Sequence, residues 1–439
     1  MRQFEGAWTS DNAIEAGKVR LERLGYFKEV SVETIPVPGT DDQIDISYSV
    51  EEETTGSIGG NIGYSDFGLM LGFNLQEQNF LGSGNTVGIG INKNIYSEMY
   101  NISYMNPYAT RDGVSLGYNL YFRETDYGEF NVANYLTNSN GFGAQFGYPI
   151  SDITRLGFNI TYDKTDIDVG SLPAREIYDF VSAEGNIFET LSAQLSWQRV
   201  TLNRGLFPTD GASTVLSFSS TIPGSDLSYY RLNVRQRYYQ PLTQNLVFGF
   251  QGELGYLNAY GDTEETPFFQ NFYAGGPRSL RGFESNTLGP RSTDAPCYEF
   301  NYAEGTCPNL LDIDGDGELD TPYYNPYANQ TSRYRDAPIG GNIKIEGSLQ
   351  LIFKLPFIED QRSLRSAFFF DFGNVFSDNC KEYQINCSEP SIDDLRYSYG
   401  VGLTWITGFG PMSLAIAKPT NAGPRERTEE FQFTVGNVF

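Results

Sequence analysis

Short alternating segments fill the chain from about residue 56 to its end, and they constrain the fold more than any other feature. In each segment apolar residues alternate with polar residues or glycine, and Gly, Asn, Asp or Pro separates one segment from the next. About 16 such segments follow one another, including GLMLGFNLQ, TVGIGINKN and EEFQFTVGNVF. The helical period is nearly absent over this range. The region is therefore predicted to be all-β.

The two faces of these segments differ in polarity. In the segment 343–353, apolar side chains at odd positions alternate with Lys344, Glu346, Ser348 and Gln350. A barrel with lipid outside and water inside is the simplest explanation for one apolar and one polar face, although a β-sandwich would also produce them. A soluble solenoid or propeller is disfavoured because the chain has no fixed-period repeat.

Connection lengths also favour a transmembrane barrel. Short connections such as PYATRDG alternate with long ones, the longest at about 261–339. Short turns on one rim and long loops on the other are typical of outer-membrane barrels. The chain has no run of about 18 apolar residues, so we expect any membrane crossing to use strands rather than helices.

Residues 1–53 have a different pattern, that of a small α+β module. Ser10 is placed to cap a helix over about 11–24, and the strands YFKEVSVETI and QIDISYSV flank a PVPGTDD turn. A module of about 50 residues buries only enough apolar surface for a marginally stable core of its own. The N-terminus lacks the apolar stretch of a signal peptide, so we expect either a cytosolic protein or an internal fragment of a longer one.

Composition excludes several functions. The net charge of −25 disfavours nucleic-acid binding, which needs clustered Lys and Arg. The chain has no histidine, which excludes Ser-His-Asp and Cys-His catalysis and His-ligated zinc. The cysteines form two close pairs, Cys297/Cys307 and Cys380/Cys387, without CxxC spacing. Two local disulfides in loops facing an oxidising compartment fit these pairs best.

Several sequence blocks, in this order, identify a family. They are NPYATRDGVSLGY at 106–118, RGLFPTDG at 204–211, IPGSDLSYYR at 222–231, NFYAGGPRSLRGFESNTLGP at 271–290, DFGNVF at 371–376 and the terminal EEFQFTVGNVF. Together they resemble the BamA family, the central barrel of the outer-membrane β-barrel assembly machinery. Residues 1–53 resemble part of its membrane-proximal POTRA domain, with the first strand missing.

The resemblance implies a location and a function. It implies a barrel of about 16 strands over 54–439 in the outer membrane of a Gram-negative bacterium, with the POTRA module in the periplasm. Such a barrel folds and inserts other β-barrel proteins without being an enzyme or requiring a cofactor. Its expected partners are unfolded outer-membrane proteins, accessory outer-membrane lipoproteins and lipid. A two-partner-secretion or autotransporter-assembly barrel of the same superfamily is the alternative, and a passive porin would leave the POTRA-like module unexplained.

The resemblance also implies a lateral seam between the first and last strands. The first strand, GSIGGNIGYS, has an unusual density of glycine, which weakens and bends a strand, and the last strand is interrupted by a glycine. Glycine that merely fills a tapered barrel wall is the competing explanation. The predicted seam residues are Gly56, Gly59, Gly60, Gly63, Phe431, Phe433, Gly436 and Phe439.

In the family, the long loop at about 261–339 folds into the barrel and its arginine contacts an aspartate on a strand. The motif match assigns these roles to Arg281, followed by Gly282 and Phe283, and to Asp371. We expect Asp371 to point inward, because its strand neighbours Phe370 and Phe372 lie on the apolar face.

The family's second acidic partner of the arginine is not matched in this chain. Gln350 occupies the expected position, and Glu346 lies four residues earlier on the same face. We call the polar contacts of Arg281 with the barrel wall the clasp. Three arrangements of it stay open: Glu346 joins Arg281 and Asp371, Gln350 joins them, or Arg281 and Asp371 pair alone. We also expect Phe283 to pack beside the arginine.

The same loop contains DIDGDGELD at 312–320, which resembles the first nine positions of a calcium loop. Tyr323 replaces the glutamate of a complete EF-hand, so the pattern is nearer to short extracellular calcium loops. An acidic, solvated turn is the alternative. The predicted ligands are Asp312, Asp314, Asp316, Glu318 and Asp320.

Calcium titration tests this loop. We expect calorimetry of the protein to record heat at millimolar calcium, because extracellular calcium modules bind with dissociation constants of about 10⁻⁴–10⁻³ M. A flat thermogram would show that 312–320 is a solvated acidic turn.

Overall fold

The computed structural model describes most of the chain. The described residues are 3–22, 26–40, 42–52, 55–110, 112–129, 132–133, 135–169, 174–293, 299–301, 306–309, 337–355, 358, 363–384, 387–408 and 410–436. The predicted calcium loop 312–320, Phe439 and the side chains of Cys297 and Cys307 lie outside this set. Within it, no helix has the length and apolar character needed to span a membrane.

Sixteen antiparallel strands form one closed barrel, which confirms the predicted fold class. Each strand pairs with its neighbours along the chain, and the last strand closes on the first. The barrel strands are β3 (Gly56–Ser65), β4 (Gly68–Glu77), β5 (Thr86–Lys93), β6 (Ser97–Asn106), β7 (Ser115–Asp126), β8 (Tyr135–Ser151), β9 (Thr154–Val169), β10 (Ile187–Val200), β11 (Gly211–Thr221), β12 (Tyr229–Thr243), β13 (Leu246–Ala259), β17 (Ile343–Phe353), β18 (Leu364–Phe376), β19 (Arg396–Thr407), β20 (Gly410–Pro419) and β22 (Phe431–Val435).

The remaining elements lie before the barrel or in its connections. They are α1 (Asp11–Glu22), β1 (Phe27–Pro36), β2 (Ile44–Glu52), α2 (Arg175–Glu184), β14 (Gly282–Phe283), β15 (Glu299–Asn301), β16 (Thr306–Asn309), β21 (Thr428–Glu429) and two 3₁₀ turns at Phe80–Gly82 and Phe268–Gln270.

The N-terminal module is a helix packed on a two-stranded antiparallel sheet, β1 with β2. Ser10 lies where a cap is expected, and its backbone oxygen accepts a bond from the N–H of Ala13 at 3.0 Å. Ile14 and Val30 are buried. The Tyr26 hydroxyl donates to the backbone oxygen of Gly84 at 2.9 Å, so the module contacts the β4–β5 connection of the barrel.

The strand period separates a lipid-compatible outer face from an enclosed inner face, as the sequence predicts. In β18, Phe368 and Phe370 are 52% and 40% exposed, whereas Phe369 and Asp371 are 4% and 0% exposed. Because successive strand residues point to opposite faces, Asp371 lies on the inside of the barrel wall.

The barrel has two unlike rims. Since β3 leaves the N-terminal module, alternate connections return to the rim beside the module, and the others lie at the opposite rim, which we call the far rim. The four longest connections, which follow β9, β13, β18 and β20, all begin and end at the far rim. This asymmetry matches the predicted alternation of short and long connections.

An apolar cap covers part of the far rim. It includes α2, a helix that the strand-dominated pattern did not predict, although Ile177, Phe180 and Val181 have helical spacing. Gly185 ends α2 with φ +94°, and its N–H bonds to the Val181 oxygen at 2.9 Å. The buried members of the cap are Val132, Ala133, Tyr135, Ile167, Ala174, Ile177, Phe180, Phe188, Leu227, Phe268, Ala337 and Ile339.

The buried carboxylate of Glu176 joins three far-rim segments. Its two oxygens accept the N–H of Thr293 at 3.1 and 3.0 Å, and Gln384 Nε2 donates to Oε1 at 3.2 Å. Gln384 lies in the loop closed by the Cys380–Cys387 disulfide, which confirms one of the two predicted pairs. Glu176 thus ties α2 to the long loop and to the disulfide loop.

The cap is predicted to loosen as pH rises. Burial raises the pKa of the Glu176 carboxyl, and the N–H of Thr293 offsets part of that rise. A folded-state pKa above the unfolded value stabilises the cap below the unfolded pKa, and this contribution is lost as pH rises through the folded pKa. Between the unfolded and the folded pKa, the exchange rate of the backbone amides of residues 176–184 is expected to rise by up to about tenfold per pH unit, after correction for the intrinsic rates.

The Glu176→Gln variant should flatten this dependence, because an amide does not titrate. A residual slope is expected from Asp179, whose pKa burial also raises. The matched control is Ser182→Ala at an exposed position of the same helix. A Glu176→Gln variant with the wild-type slope would contradict the assignment to this carboxyl.

Candidate functional site: the lumenal clasp and the seam

Residues 278–287, which we call the tip, lie against the inner wall of the barrel. The backbone at Gly282 has φ +90°, a region that L side chains rarely adopt. A Cβ there would lie 3.1 Å from Ala417 Cβ and 3.4 Å from Ser398 Cβ. Glycine at position 282 therefore serves both the turn and the close approach to β19 and β20.

Arg281 and Asp371 form a bidentate pair. Arg281 Nε donates to Asp371 Oδ2 at 2.7 Å, Nη2 donates to Oδ1 at 2.7 Å, and the Arg281 backbone N–H bonds to Oδ2 at 3.2 Å. Asp371 is fully buried and the Arg281 side chain is 16% exposed. The structure thus brings together the two residues that the family motif pairs, in the geometry that makes charge-assisted hydrogen bonds strongest.

The third polar partner is Ser348, which the alternation of 343–353 places on the polar face but which no motif assigns to the clasp. Arg281 Nη2 donates to Ser348 Oγ at 3.0 Å. Ser348 faces Asp371 across the β17–β18 ladder, so the strand register places its hydroxyl beside the Arg281–Asp371 pair. Gln350 Nε2 bonds to Ser348 Oγ at 3.3 Å, which places Gln350 beside this hydroxyl.

Glu346 also holds the tip, but through another residue. Its carboxylate accepts the hydroxyl of Ser279 and lies 3.0 Å from Lys344 Nζ. The two lumenal acids therefore bind the tip at separate points, Asp371 at Arg281 and Glu346 at Ser279. The pattern of alternating side chains placed Glu346 on the correct face but did not give its partner.

The aromatic ring over the guanidinium belongs to Phe369, not to Phe283. Arg281 Cζ lies 3.5 Å from the centre of the Phe369 ring, within cation–π range. Phe283 is fully buried in a cluster with Leu257, Leu280 and Val375, among others. Phe283 thus anchors the tip by apolar burial while Phe369 covers the clasp.

A glutamine of the last strand holds the tip from the other side. Gln432, 1% exposed, accepts the Gly282 N–H at 3.3 Å and donates to the Phe283 oxygen at 2.8 Å. The short strands β14 and β21 pair next to it, Gly282 with Glu429 and Phe283 with Thr428. Gln432 was not predicted, because the apolar alternation of FQFTV marks it only as inward-facing.

The described part of the seam between β22 and β3 is short. Among the described residues, its ladder joins the single pair Val435 and Tyr64, whereas β22 pairs with β20 over five residues. Gly436 has φ +79°, and a Cβ there would lie 2.5 Å from the Ile62 oxygen. The last strand therefore turns where it reaches β3.

Two of the four predicted seam glycines of β3 have open space around them. A Cβ at Gly59 or Gly60 would meet nothing within 4 Å, so close packing against the described residues does not require glycine at either position. At Gly56 a Cβ would meet the Glu77 carboxylate at 2.9 Å, and Gly63 lies next to Gly436. Phe431 is 59% exposed and Phe433 is partly buried.

Comparison with protein families identifies two regions. The profile of the Omp85 superfamily domain matches residues 79–439. The POTRA profile, described as a surface antigen variable number repeat, matches residues 1–53.

Curated relatives and solved structures agree with these matches. "Outer membrane protein assembly factor BamA" of Neisseria meningitidis is 28% identical over 100% of this chain and 54% of its own length, so the chain spans about half of that relative. The crystal structure of BamA from Haemophilus ducreyi lacking POTRA domains 1–3 has a TM-score of 0.81 at 30% identity and covers 100% of this chain and 80% of that one. CdiB from Escherichia coli, with a TM-score of 0.58 at 13% identity over 98% of this chain and 71% of that one, shares the fold alone.

Disruption of the clasp should release the tip. Arg281→Ala leaves the buried Asp371 carboxylate without its cation, and breaking one partner of a buried pair costs about 3–5 kcal/mol. Ser348→Ala should cost less, about 1.5–3 kcal/mol, as loss of a hydrogen bond to a charged group does. Hydrogen exchange of residues 278–287 measures both effects.

The double variant Arg281→Ala/Asp371→Ala and the single variant Gln350→Ala are the controls. The double variant should destabilise the tip less than the two single variants together, because no charge is left unpaired. Gln350→Ala should have a smaller effect than Ser348→Ala. Additive single effects, or equal effects at positions 348 and 350, would contradict the geometry.

Proposed function

The chain belongs to the Omp85 superfamily, and from that premise we propose that it folds and inserts β-barrel proteins into the outer membrane through the seam between β22 and β3. Its proposed substrates are unfolded outer-membrane proteins, and accessory outer-membrane lipoproteins are its proposed partners. The N-terminal module would lie in the periplasm. Similarity to curated outer-membrane assembly factors supports this proposal.

The observation that carries the mechanism is the seam ladder, which joins a single pair among the described residues. A strand edge with unpaired N–H and C=O groups is costly in hydrocarbon, so an opened β3 edge would pair with any strand offered to it. One registered pair contributes only about 1 kcal/mol per net hydrogen bond. Exchange of that pairing for an incoming strand would therefore be nearly balanced in free energy and require no nucleotide.

The chain's own groups support a non-enzymatic role. The clasp residues Arg281, Asp371 and Ser348 bind one another in the lumen, and their contacts position a loop. Assembly by strand exchange requires only hydrogen-bonding edges and a wall that can open.

Depletion of the full-length protein tests the function. We expect many unrelated barrels to disappear from the outer membrane, because an assembly factor serves a class of substrates. Loss of a single secreted partner would instead assign the protein to two-partner secretion. The measurement is quantitative proteomics of outer-membrane fractions before and after depletion.

Locking the seam tests the mechanism. Cysteines at Tyr64 and Val435, the cross-strand pair, should form a disulfide that abolishes barrel assembly and is reversed by reductant. The matched control is a cysteine pair at Leu195 and Phe218, which face each other between β10 and β11 away from the seam. Full activity of the oxidised seam variant would contradict insertion through this seam.

A further inference from the structure

The disulfide loop, residues 380–387, lies against the polar side of α2. Arg175 Cζ lies 4.0 Å from the centre of the Tyr383 ring, within cation–π range. The Tyr383 hydroxyl hydrogen-bonds to the carboxylate of Asp179, one turn further along the helix. Tyr383 therefore covers the ion pair of Arg175 with Asp179, whose Nε and Oδ2 atoms are 3.6 Å apart.

Gln384 shapes the disulfide loop and contacts α2 at the same time. Its Oε1 accepts the Lys381 N–H at 2.9 Å, and its own N–H bonds to the Lys381 oxygen at 3.0 Å, so residues 381–384 form a closed turn. Its Nε2 donates to Glu176 Oε1 at 3.2 Å. One amide thus closes the turn and binds the buried carboxylate of the helix.

The base of the disulfide loop is attached to the barrel wall. The N–H of Ser377 bonds to the Ser388 oxygen at 2.9 Å, just outside the bridged cysteines. Asp378 Oδ1 accepts Asn342 Nδ2 at 2.6 Å, and Asp378 Oδ2 accepts the Tyr256 hydroxyl at 3.2 Å. Tyr256 belongs to β13, and Asn342 directly precedes β17. The base therefore belongs to the barrel, and the turn above it reaches across to α2.

Charged groups from three elements meet where the disulfide loop contacts α2. Lys381 forms an ion pair with Glu265 of the long connection after β13, and both act electrostatically on Asp179. Burial raises the pKa of both carboxyls of the helix, Glu176 and Asp179. The charged and titratable groups that face one another here are Arg175, Glu176, Asp179, Glu265, Lys381 and Tyr383.

Ring closure favours these contacts by limiting the alternatives. Without a bridge, a detached loop has many conformations, and a disulfide removes much of that conformational entropy. The bridged cysteines are separated by seven positions, and the ring they close contains both side chains that touch α2. The bridge therefore disfavours the detached loop more than it changes the docked one.

We infer that the disulfide is a lock on the cap: ring closure holds Tyr383 and Gln384 on α2, and opening of the ring releases them. Ile177 and Phe180, on the apolar face of the helix, stay buried in the cap, so release loosens α2 without unfolding the barrel. The redox state of one cysteine pair thereby sets how firmly the cap is held at the far rim. The lock goes beyond the proposed function and does not depend on it.

Hydrogen exchange of the full-length protein in phospholipid vesicles tests the lock. The Cys380→Ser/Cys387→Ser variant should raise the exchange of residues 176–184 about tenfold or more, as loss of hydrogen bonds to charged groups does, and leave residues 343–353 of β17 at the wild-type rate. Glu382→Gln, at an exposed position of the same loop, is the matched control and should change neither segment. Unchanged exchange of residues 176–184 in the serine variant would overturn the lock.

A double-mutant cycle tests whether the disulfide acts through the two side chains. Tyr383→Ala/Gln384→Ala keeps the ring and should raise the exchange of residues 176–184 by a similar factor. Combined with the serine pair it should add little, because the same contacts are already lost. Additive effects would show that the disulfide acts on α2 by another route, which would also overturn the lock.

Reduction of the folded protein gives the same test without folding a variant that lacks this bridge. In a Cys297→Ser/Cys307→Ser background, Cys380 and Cys387 are the two cysteines left in the chain. Dithiothreitol supplies two electrons and two protons, so the bridge becomes two thiols while the dithiol becomes a cyclic disulfide. Exchange of residues 176–184 should rise on reduction and fall again on reoxidation. A reduced protein that keeps its heat-modifiable migration on gels and shows unchanged exchange there would contradict the lock.

The pH dependence of exchange separates the lock from a general loosening of the far rim. Opening the ring lets water reach Glu176 and Asp179, so their pKa values fall towards those of the unfolded chain and the slope of α2 exchange against pH should flatten. Faster exchange with the wild-type slope would show that the carboxyls stay covered, against the lock. All these measurements are made without substrate, so their outcome is independent of whether the protein assembles barrels.

Discussion

The Arg281–Asp371 pair is the contact on which the arrangement of the lumen depends. A carboxylate with no exposure to water is tolerated only if it is paired and hydrogen-bonded, and here the guanidinium, a backbone N–H and the neighbouring hydroxyl of Ser348 surround the pair. The arginine therefore has to reach the wall of β18. Because Gly282 and Phe283 follow it directly, their contacts with β19–β22 are set by the same position.

Closure and opening make conflicting demands on such a barrel. A closed ladder satisfies every backbone group in lipid, whereas insertion of a strand requires one ladder to separate. In the part of the chain that the structure describes, the seam ladder joins one pair, Val435 with Tyr64. Inside the barrel the tip also bonds to Gln432 of the last strand and to Asp66 in the turn after β3.

The cap and the clasp hold the same long connection at two depths, the cap at the far rim and the clasp deeper in the lumen. Glu176 and the Cys380–Cys387 disulfide organise the far rim, where the long connections meet. Below them, Ser279 and Arg281 attach the tip to β17 and β18. The tip is therefore held against the barrel wall as well as at the rim.

The sequence by itself determined the strands, their inward and outward faces, the unlike rims and the pairing of Arg281 with Asp371. These follow from a period of two and from motifs that are local or matched by family resemblance. The helix α2 was within reach of the same methods through the spacing of Ile177, Phe180 and Val181. Only the tertiary structure decided that Ser348 rather than Glu346 or Gln350 contacts Arg281, that Phe369 stacks on it, and that Gln432 and Asp66 meet the tip. These contacts depend on strand register and on the path of a long loop through the lumen, and alternation along one strand carries no information about which residue lies opposite it on the next.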